Sequence, residues 1–401
     1  PPPPPPPPPR LDSSAASDVY KRQVEGRLAP TPGTCSVMGT ASTMACLVEA
    51  LGMMLPGGAS IPAVYADRMR HAEAAGKQAV ELIRQQLTPD QIMTPAAFDN
   101  ALRVLQAIGG STNAIIHLTA IAGRLGINLD LARLNHLADS TPVLVDLKPT
   151  GSAYMEDFHR AGGMQVLLQE LKPLLDLDPP TVAGMTLAER LDEPYDFPAW
   201  QEVIRPATDP LQPRGALIAL RGNLAPDGAI LKRSAATPAL LNATGRAVVF
   251  HSLQDMAARI DSPDLEIDEG DFLVLQNAGP LGGPGMPEAG YLPIPKKLAE
   301  RGVKDMVRIS DARMSGTAFG TIVLHVAPEA AVGGPLGLVK TGDSIELSAD
   351  KRALNLLVSD DELAQRKRAQ RVEVQIPQRG YARLYHEHGQ QANLGADFDF
   401  M

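Results

Sequence analysis

Residues 307–326, VRISDARMSGTAFGTIVLHV, read as strand, polar loop, strand. Val307–Ser310 and Thr321–Val326 are short β-type runs rich in β-branched residues, and the loop Asp311–Gly320 between them is polar and holds two glycines. Such runs bounded by turn residues predict buried strands rather than helices. The same pattern recurs outward at Ala216–Leu220, Ala247–His251, Phe272–Gln276, Ser344–Leu347 and Leu354–Val358. Only short helical stretches intervene, at Leu253–Ile260 and Pro295–Arg301. Residues 206–401 are therefore expected to form a β-rich, barrel-like domain.

Upstream, the period changes to that of helices. Ala41–Leu55 carries Met44, Leu47, Val48, Leu51 and Leu55 at helical spacing and is expected to stop at Gly57-Gly58. Ala66–Leu87 predicts a more polar helix with Val80, Ile83 and Leu87 on one face. Thr94-Pro95 supplies an N-cap and a proline at the first helical position, opening a helix through Phe98, Leu102, Leu105 and Ile108 to Gly109-Gly110. Ser111 or Thr112 caps the next, Asn113 to about Arg124, and further helices follow from Ser152 to Leu175. Val143–Asp146 is a strand candidate, and Asp176–Thr208 reads as a linker. The fold class is α/β: an N-terminal α/β domain over residues 24–205, mostly its helices, then the barrel-like domain. Residues 1–23, nine prolines followed by a polar stretch, are expected to be a leader foreign to the fold, the alternative being a proline-rich tail.

The chain has 401 residues and a formal net charge of −9. This acidic balance argues against a large nucleic-acid or anionic-membrane footprint, which needs clustered lysine and arginine. No apolar run is long enough for a membrane span. Two cysteines, Cys35 and Cys46, cannot make a disulfide framework, so a reducing, cytoplasmic setting is expected.

Three glycine-containing junctions carry the candidate chemistry. In Gly33–Thr40, Cys35 precedes a helix, and helix N-termini favour a thiolate suited to a soft metal or an iron–sulfur cluster. The alternative is a small buried hydrophobe, the expected role of Cys46. Gly279–Glu288 holds four glycines and three prolines, and Glu288 at its end offers a carboxylate for a hard cation such as Mg²⁺. The alternative is a turn with a solvated Glu. In Ser310–Gly320, Ser315 and Thr317 flank a glycine; a hydroxyl becomes a base only where a metal or cation lowers its pKa, and otherwise bonds the backbone of a turn. His117 and His325 lie near these motifs and are either packed histidines or substrate contacts. Arg313 could pair with a substrate carboxylate or with a nearby Asp. Asn113 and Asn223 lie in polar turns and could touch substrate, though capping is the simpler role.

Taken in order, GTCSVMGTASTM, EALGMMLPG, IGGSTNAIIHL, GNLAPDGAILK, GPLGGPGMPE, SDARMSGTAFG and HVAPEAAVGGPLGLVKTGD resemble the dihydroxy-acid and sugar-acid dehydratase family, which includes 6-phosphogluconate dehydratase. The resemblance runs from about residue 30 to the C-terminus. The form SDARMSGTAFG is similar to the sugar-acid branch, whose substrates are aldonic acids such as arabinonate and xylonate. The resemblance implies a [2Fe–2S] cluster held by three cysteines, of which Cys35 matches the third. It implies Mg²⁺ held by carboxylates and a carbamylated lysine, with Glu288 matching the last carboxylate. Ser315 matches the serine that acts as an alkoxide base, and Thr317 its neighbour near the substrate. The implied reaction takes water from a 2,3-dihydroxy acid to give a 2-keto-3-deoxy acid, Ser315 removing the C2 proton while the open iron helps the 3-hydroxyl leave. Family members are homodimers or homotetramers.

The first two cluster cysteines, the earlier Mg²⁺ carboxylates and the lysine lie upstream in the family, and nothing before Cys35 supplies them here. The chain thus resembles the last two-thirds of a dehydratase and is expected to be inactive alone. The alternatives are a dihydroxy-acid dehydratase of branched-chain amino-acid synthesis, an acyl-transfer enzyme using an activated serine, or a non-catalytic sugar-acid binding module.

Overall fold

The computed structural model describes residues 36–193, 198, 200–289, 292–316, 318–370 and 376–401. Its first half is helical. Helix α1 (Thr40–Ala50), α2 (Ala66–Gln85), α3 (Pro95–Ala107), α4 (Asn113–Gly123) and α5 (Leu131–Ser140) are followed by α6 (Met155–Arg160) and α7 (Gly163–Leu171). Thr94 caps α3, accepting from the Ala97 amide at 3.3 Å, with Pro95 in the first turn as expected. Leu47, Leu51, Phe98, Leu102, Leu105, Leu118 and Leu137 pack into one core. Cys46 is buried there, as its position on the helix interior predicts.

Several details of this half differ from the sequence reading. Helix α1 ends at Ala50 rather than Leu55, because Gly52 takes a left-handed φ of +80° and turns the chain. The Glu49 carboxylate then accepts from the Gly57 and Ala59 amides at 2.8 and 3.0 Å and pairs with buried Arg190 at 2.6 Å. Helix α2 forms, but its apolar residues find no core: Ile83 is 78 % exposed. Val143–Asp146 is no strand; Val143 and Val145 make isolated bridges to Gln212 and Ile204 on irregular chain. The segment read as a linker also packs inward, with Leu187, Leu191 and Ile204 in the helical core.

The second half forms an eight-stranded sheet among the described residues. Its strands are β1 (Leu217–Leu220), β2 (Gly228–Lys232), β3 (Asn242–Phe250), β4 (Phe272–Leu275), β5 (Arg308–Ser310), β6 (Ile322–Ala327), β7 (Ser344–Ser348) and β8 (Ala353–Leu356). Their spatial order is β1-β2-β6-β5-β4-β3-β7-β8. The inner four, β3 to β6, are parallel, and the outer pairs are antiparallel. Strand β2 escapes the sequence reading because GAILK follows a turn and is too short to show alternation.

The sheet closes on itself. Beyond β1, the Arg221 amide donates to Arg352 O at 2.9 Å and the Leu354 amide to Arg221 O at 3.0 Å, so the two edges meet. Asn223 extends the seam as a side-chain mimic of a strand residue: Nδ2 donates to Leu356 O at 2.9 Å and Oδ1 accepts from the Leu356 amide at 2.7 Å. Closure removes the open edges that otherwise invite strand addition. Where β1 still faces the helices, Gln106 and Asn135 side chains pair with the backbones of Leu217 and Ala219 at 2.8–3.0 Å.

Alternation along the strands sorts the core. Ile218, Leu220, Val249, Val274, Ile309, Val323, Ile345 and Leu354 come from all around the sheet and share one cluster, the barrel interior. Their neighbours Val248, Leu273, Leu275 and Leu324 face outward under α8 (Leu253–Arg259) and the 292–306 segment. Leu217, Ala219 and Ile230 face the helical core instead. Being covered on both faces, the central strand β4 reads as an unbroken apolar run.

Candidate functional site

Strands β4 and β5 are parallel neighbours, so the chain leaves both at the same edge. The glycine-rich loop 276–288 follows β4, and the loop 311–320 follows β5. The carboxyl ends of parallel strands are where α/β folds present their ligand-binding loops. Asp311 ties these loops together. Its Oδ1 accepts from the Ala278 amide and its Oδ2 from the Ala330 amide, both at 2.9 Å. Burial pushes the Asp311 carboxyl up to about 7, against the pull of those amides. Glu329 organises the glycine-rich turn, accepting from the Leu281 and Gly282 amides at 2.9 Å.

The helical half delivers its own residues to the same place. Ser111 Oγ accepts from the Asn113 amide at 3.2 Å, which satisfies one free donor at the start of α4. The Asn113 side chain is thereby released from capping. Its Nδ2 donates to Glu288 Oε1 at 2.6 Å and to Thr40 Oγ1 at 3.0 Å, and Thr40 Oγ1 lies 2.9 Å from Ser111 Oγ. Gly316 presses on this group: a Cβ there would stand 2.7 Å from Ser111 Oγ and 3.1 Å from the Thr40 nitrogen. No larger residue fits. Thus Thr40, Ser111, Asn113, Glu288 and Gly316, scattered over most of the chain, form one contact group.

Ser315 lines a cavity of about 20 Å³, room for one water. Thr112, Lys232, Gly316, Gly320, Ile322 and Leu324 share its wall. Arg313 is half-buried and stitches the loops: its Nε donates to Met286 O, and its backbone bridges to Glu288. It also acts on two histidines. His117 is lowered first by burial and then by Arg313. His325 is pushed down to about 3, chiefly by burial, with Arg313 and His117 adding to it. His325 is a neutral ring at φ +57°, and neither ring nitrogen has a partner among the described residues. It opens on a second small cavity, with Ile115, Thr119 and Asn393, rather than on that of Ser315. Cys35 and Thr317 lie outside the described residues.

Sequence reasoning gave Ser315, Glu288 and Arg313, and the structure gathers all three within adjoining loops. It missed Thr40, Ser111 and Lys232, and it read Asn113 as a cap. The signal available for Lys232 was a charged residue ending an otherwise apolar run.

The fit of the implied cofactors is uneven. Glu288 is an exposed oxygen donor whose geometry is fixed by Asn113, as one cation ligand requires. Among the described residues, however, no group of three His, Cys, Asp or Glu could hold a metal. Cys46 does not fit a cluster, since its thiol is buried in the helical core and burial pushes its pKa far up.

Residues 11–190 match the dihydroxy-acid/6-phosphogluconate dehydratase N-terminal family, and residues 202–396 its C-terminal counterpart. Over 382 residues the chain is 49 % identical to an L-arabinonate dehydratase of Rhizobium leguminosarum bv. trifolii, covering 94 % of this chain and 66 % of that protein. It is 47 % identical over 383 residues to a 6-deoxy-6-sulfo-D-gluconate dehydratase of Pseudomonas putida, with coverages of 94 % and 66 %. A dihydroxy-acid dehydratase of Carboxydothermus hydrogenoformans is 41 % identical over 383 residues, 94 % of this chain and 68 % of that protein. The chain spans just under two thirds of the length of those two sugar-acid relatives. Matched along both halves, and at this identity, the chain belongs to the dihydroxy-acid/6-phosphogluconate dehydratase family.

Proposed function

We propose that the protein takes part in the dehydration of a sugar acid, a 2,3-dihydroxy acid, to a 2-keto-3-deoxy acid. The observation that carries this is the convergence of the Ser315 loop, the Glu288 loop and the Thr40–Ser111–Asn113 group at the carboxyl ends of β4 and β5. Ser315 lines a small cavity beside Gly316, and in this reading its hydroxyl takes the proton from C2 of the substrate. Gly316 allows the serine to approach the helical half, and Asn113 holds the Glu288 carboxylate facing the same junction. Asp311 keeps the two loops in register.

The cofactors belong to this proposal: a [2Fe–2S] cluster with Cys35 as one thiolate, and Mg²⁺ with Glu288 as one carboxylate. When bound, Mg²⁺ would supply Lewis acidity to the substrate's carboxylate and 2-hydroxyl. The described residues offer Mg²⁺ one fitting ligand and the cluster none, so the remaining ligands must come from sequence outside them. The proposed catalytic residues are Ser315 and Thr317, with Arg313 and His325 as substrate candidates.

A sugar acid is preferred to a branched-chain dihydroxy acid because identity is higher to the sugar-acid relatives, 47–49 % against 41 %. An acyl-transfer enzyme would need a histidine and an acid beside the serine, and among the described residues the cavity wall holds neither. Among the described residues, no helix is long and apolar enough to cross a membrane. We place the protein in the cytoplasm as a homodimer or homotetramer that binds neither nucleic acid nor membrane.

The test uses the chain extended to the length of its relatives and purified without air. Incubated with Mg²⁺ and a panel of C5 and C6 aldonic acids, it is expected to form a 2-keto acid, and Ser315→Ala to abolish this. Turnover of only a branched dihydroxy acid would move the assignment to the other branch. Binding of aldonic acids without turnover would favour a binding module.

A further inference from the structure

Lys232, the last residue of β2, is an expensive residue in its place. All five residues of the strand are buried, and Lys232 is only 6 % exposed. Its Nζ has no hydrogen-bond partner among the described residues. A buried ammonium without a counter-charge is strongly unfavourable, and an apolar side chain of similar length would serve the fold at least as well. Packing therefore does not explain a lysine here, and such uncompensated groups concentrate at functional sites.

Its position supplies a reason. Strand β2 pairs with β6, and the register Leu231↔Val323 sets Lys232 beside the start of β6, where the Ser315 loop ends. Along β2, Leu231 faces the barrel interior and Ile230 faces the helices. Alternation thus turns Lys232 to the helical side, where Thr112, Ser315 and Gly316 share a cavity wall with it. No other titratable side chain lines that cavity among the described residues. The charged groups on neighbouring segments are engaged elsewhere. Arg308 on β5 pairs with Asp305 at 2.7 Å, and Arg233 donates to Gly215 O at 2.6 Å.

Resting on the dehydratase reading for what Ser315 does, we propose that Lys232 is the base that ionises Ser315: its amine takes the hydroxyl proton, directly or through one water in the cavity. The Oγ–H bond breaks and an Nζ–H bond forms, leaving an alkoxide beside an ammonium. The alkoxide then takes the C2 proton and is again a hydroxyl. The ammonium returns its proton to the departing hydroxide, which leaves as water. A serine hydroxyl alone is too weak a base, and an adjacent amine is an established way of activating one. Burial alone pushes the Lys232 ammonium down to about 8, so the free amine is accessible near neutral pH.

Two measurements test this. On the extended chain, kcat and KM for an aldonic acid are followed across pH for wild type, Lys232→Met and Lys232→Arg. The methionine variant is expected to lose about 100-fold or more in kcat with KM within about 3-fold, and to lose the wild type's rise toward alkaline pH. Lys232→Arg, which keeps the charge but cannot release a proton, is expected to fail equally. Retained kcat in either variant, or a raised KM at unchanged kcat, would overturn the proposal. On the 401-residue chain, ¹³Cε-lysine NMR needs no turnover. The signal missing from Lys232→Arg is expected to titrate near pH 8 and to move its midpoint in Ser315→Ala. An unmoved midpoint also overturns the proposal. A moved midpoint in a protein that dehydrates no acid would overturn the dehydratase reading and leave the Lys232–Ser315 coupling standing.

Discussion

Asn113 Nδ2 donates to Glu288 Oε1 at 2.6 Å across 175 positions of sequence. The bond makes the first turn of α4 the support of a carboxylate on the opposite half of the molecule. A ligand carboxylate held by such a partner keeps its orientation, and loss of the partner commonly costs about 10–100-fold in metal affinity. Asn113→Ala in the extended chain is therefore expected to raise the Mg²⁺ concentration for half-maximal activity by about that factor. Thermal stability should also fall, by about 1–2 kcal/mol, because the buried Asn113 side chain donates to Thr40 Oγ1 as well. An unchanged Mg²⁺ requirement would remove Glu288 from the list of ligands.

Asn223 closes the barrel with two hydrogen bonds to Leu356, at 2.7 and 2.9 Å. Asn223→Ala leaves the Leu356 amide and carbonyl without those partners at the seam, and is expected to cost about 1–3 kcal/mol. Asn223→Asp keeps the acceptor and loses the donor, so its cost should fall between. Urea unfolding at neutral pH ranks the three proteins. Equal midpoints would mean that the Arg221 backbone bonds alone hold the seam.

The strands and the Ser315 loop were legible because parallel strands buried on both faces leave unbroken apolar runs, such as Phe272–Leu275, between turn residues. The site itself was only half legible. Ser315 and Glu288 announce themselves by glycine-rich surroundings, whereas Asn113 looks like any residue at a helix start. Its role depends on Ser111 doing the capping and on a carboxylate arriving from another domain, neither of which is a local property. Lys232 was hidden inside a strand too short for a period to show. Helix α2 forms as its spacing predicts, yet Val80 and Ile83 remain exposed, because periodicity reports an apolar face and not what covers it.

The buried His325 ring makes stability sensitive to acid. Its pKa falls from an ordinary 6.5 to about 3, so the unfolded chain binds a proton that the folded one refuses. The stability present above pH 6.5 is lost as pH falls toward 3. Moving from neutral pH to about 4.5 should cost about 2–3 kcal/mol through this group alone. His325→Asn, which tolerates the left-handed φ of +57°, is expected to be less stable at neutral pH but to have a shallower acid slope. Urea midpoints at both pH values for both proteins give that difference. Parallel slopes would mean that the folded ring does accept a proton.

Lys232 has the reverse consequence on the alkaline side, separable from its effect on activity. Its folded pKa of about 8 lies below the ordinary 10.5, so below pH 8 the fold carries the full cost of charging a buried amine. That cost, about 3 kcal/mol, fades as pH rises from 8 through 10.5, and stability should rise over that window. Lys232→Met removes the cost and fills the same space. It is expected to be more stable than wild type by about 3 kcal/mol at neutral pH, with the advantage vanishing by about pH 10.5. A variant both more stable and catalytically dead would separate the two roles, because a lysine kept for the fold would destabilise when removed. Destabilisation of Lys232→Met at neutral pH would show that the ammonium finds a counter-charge in residues beyond those described, and the activation of Ser315 would then have to be sought elsewhere.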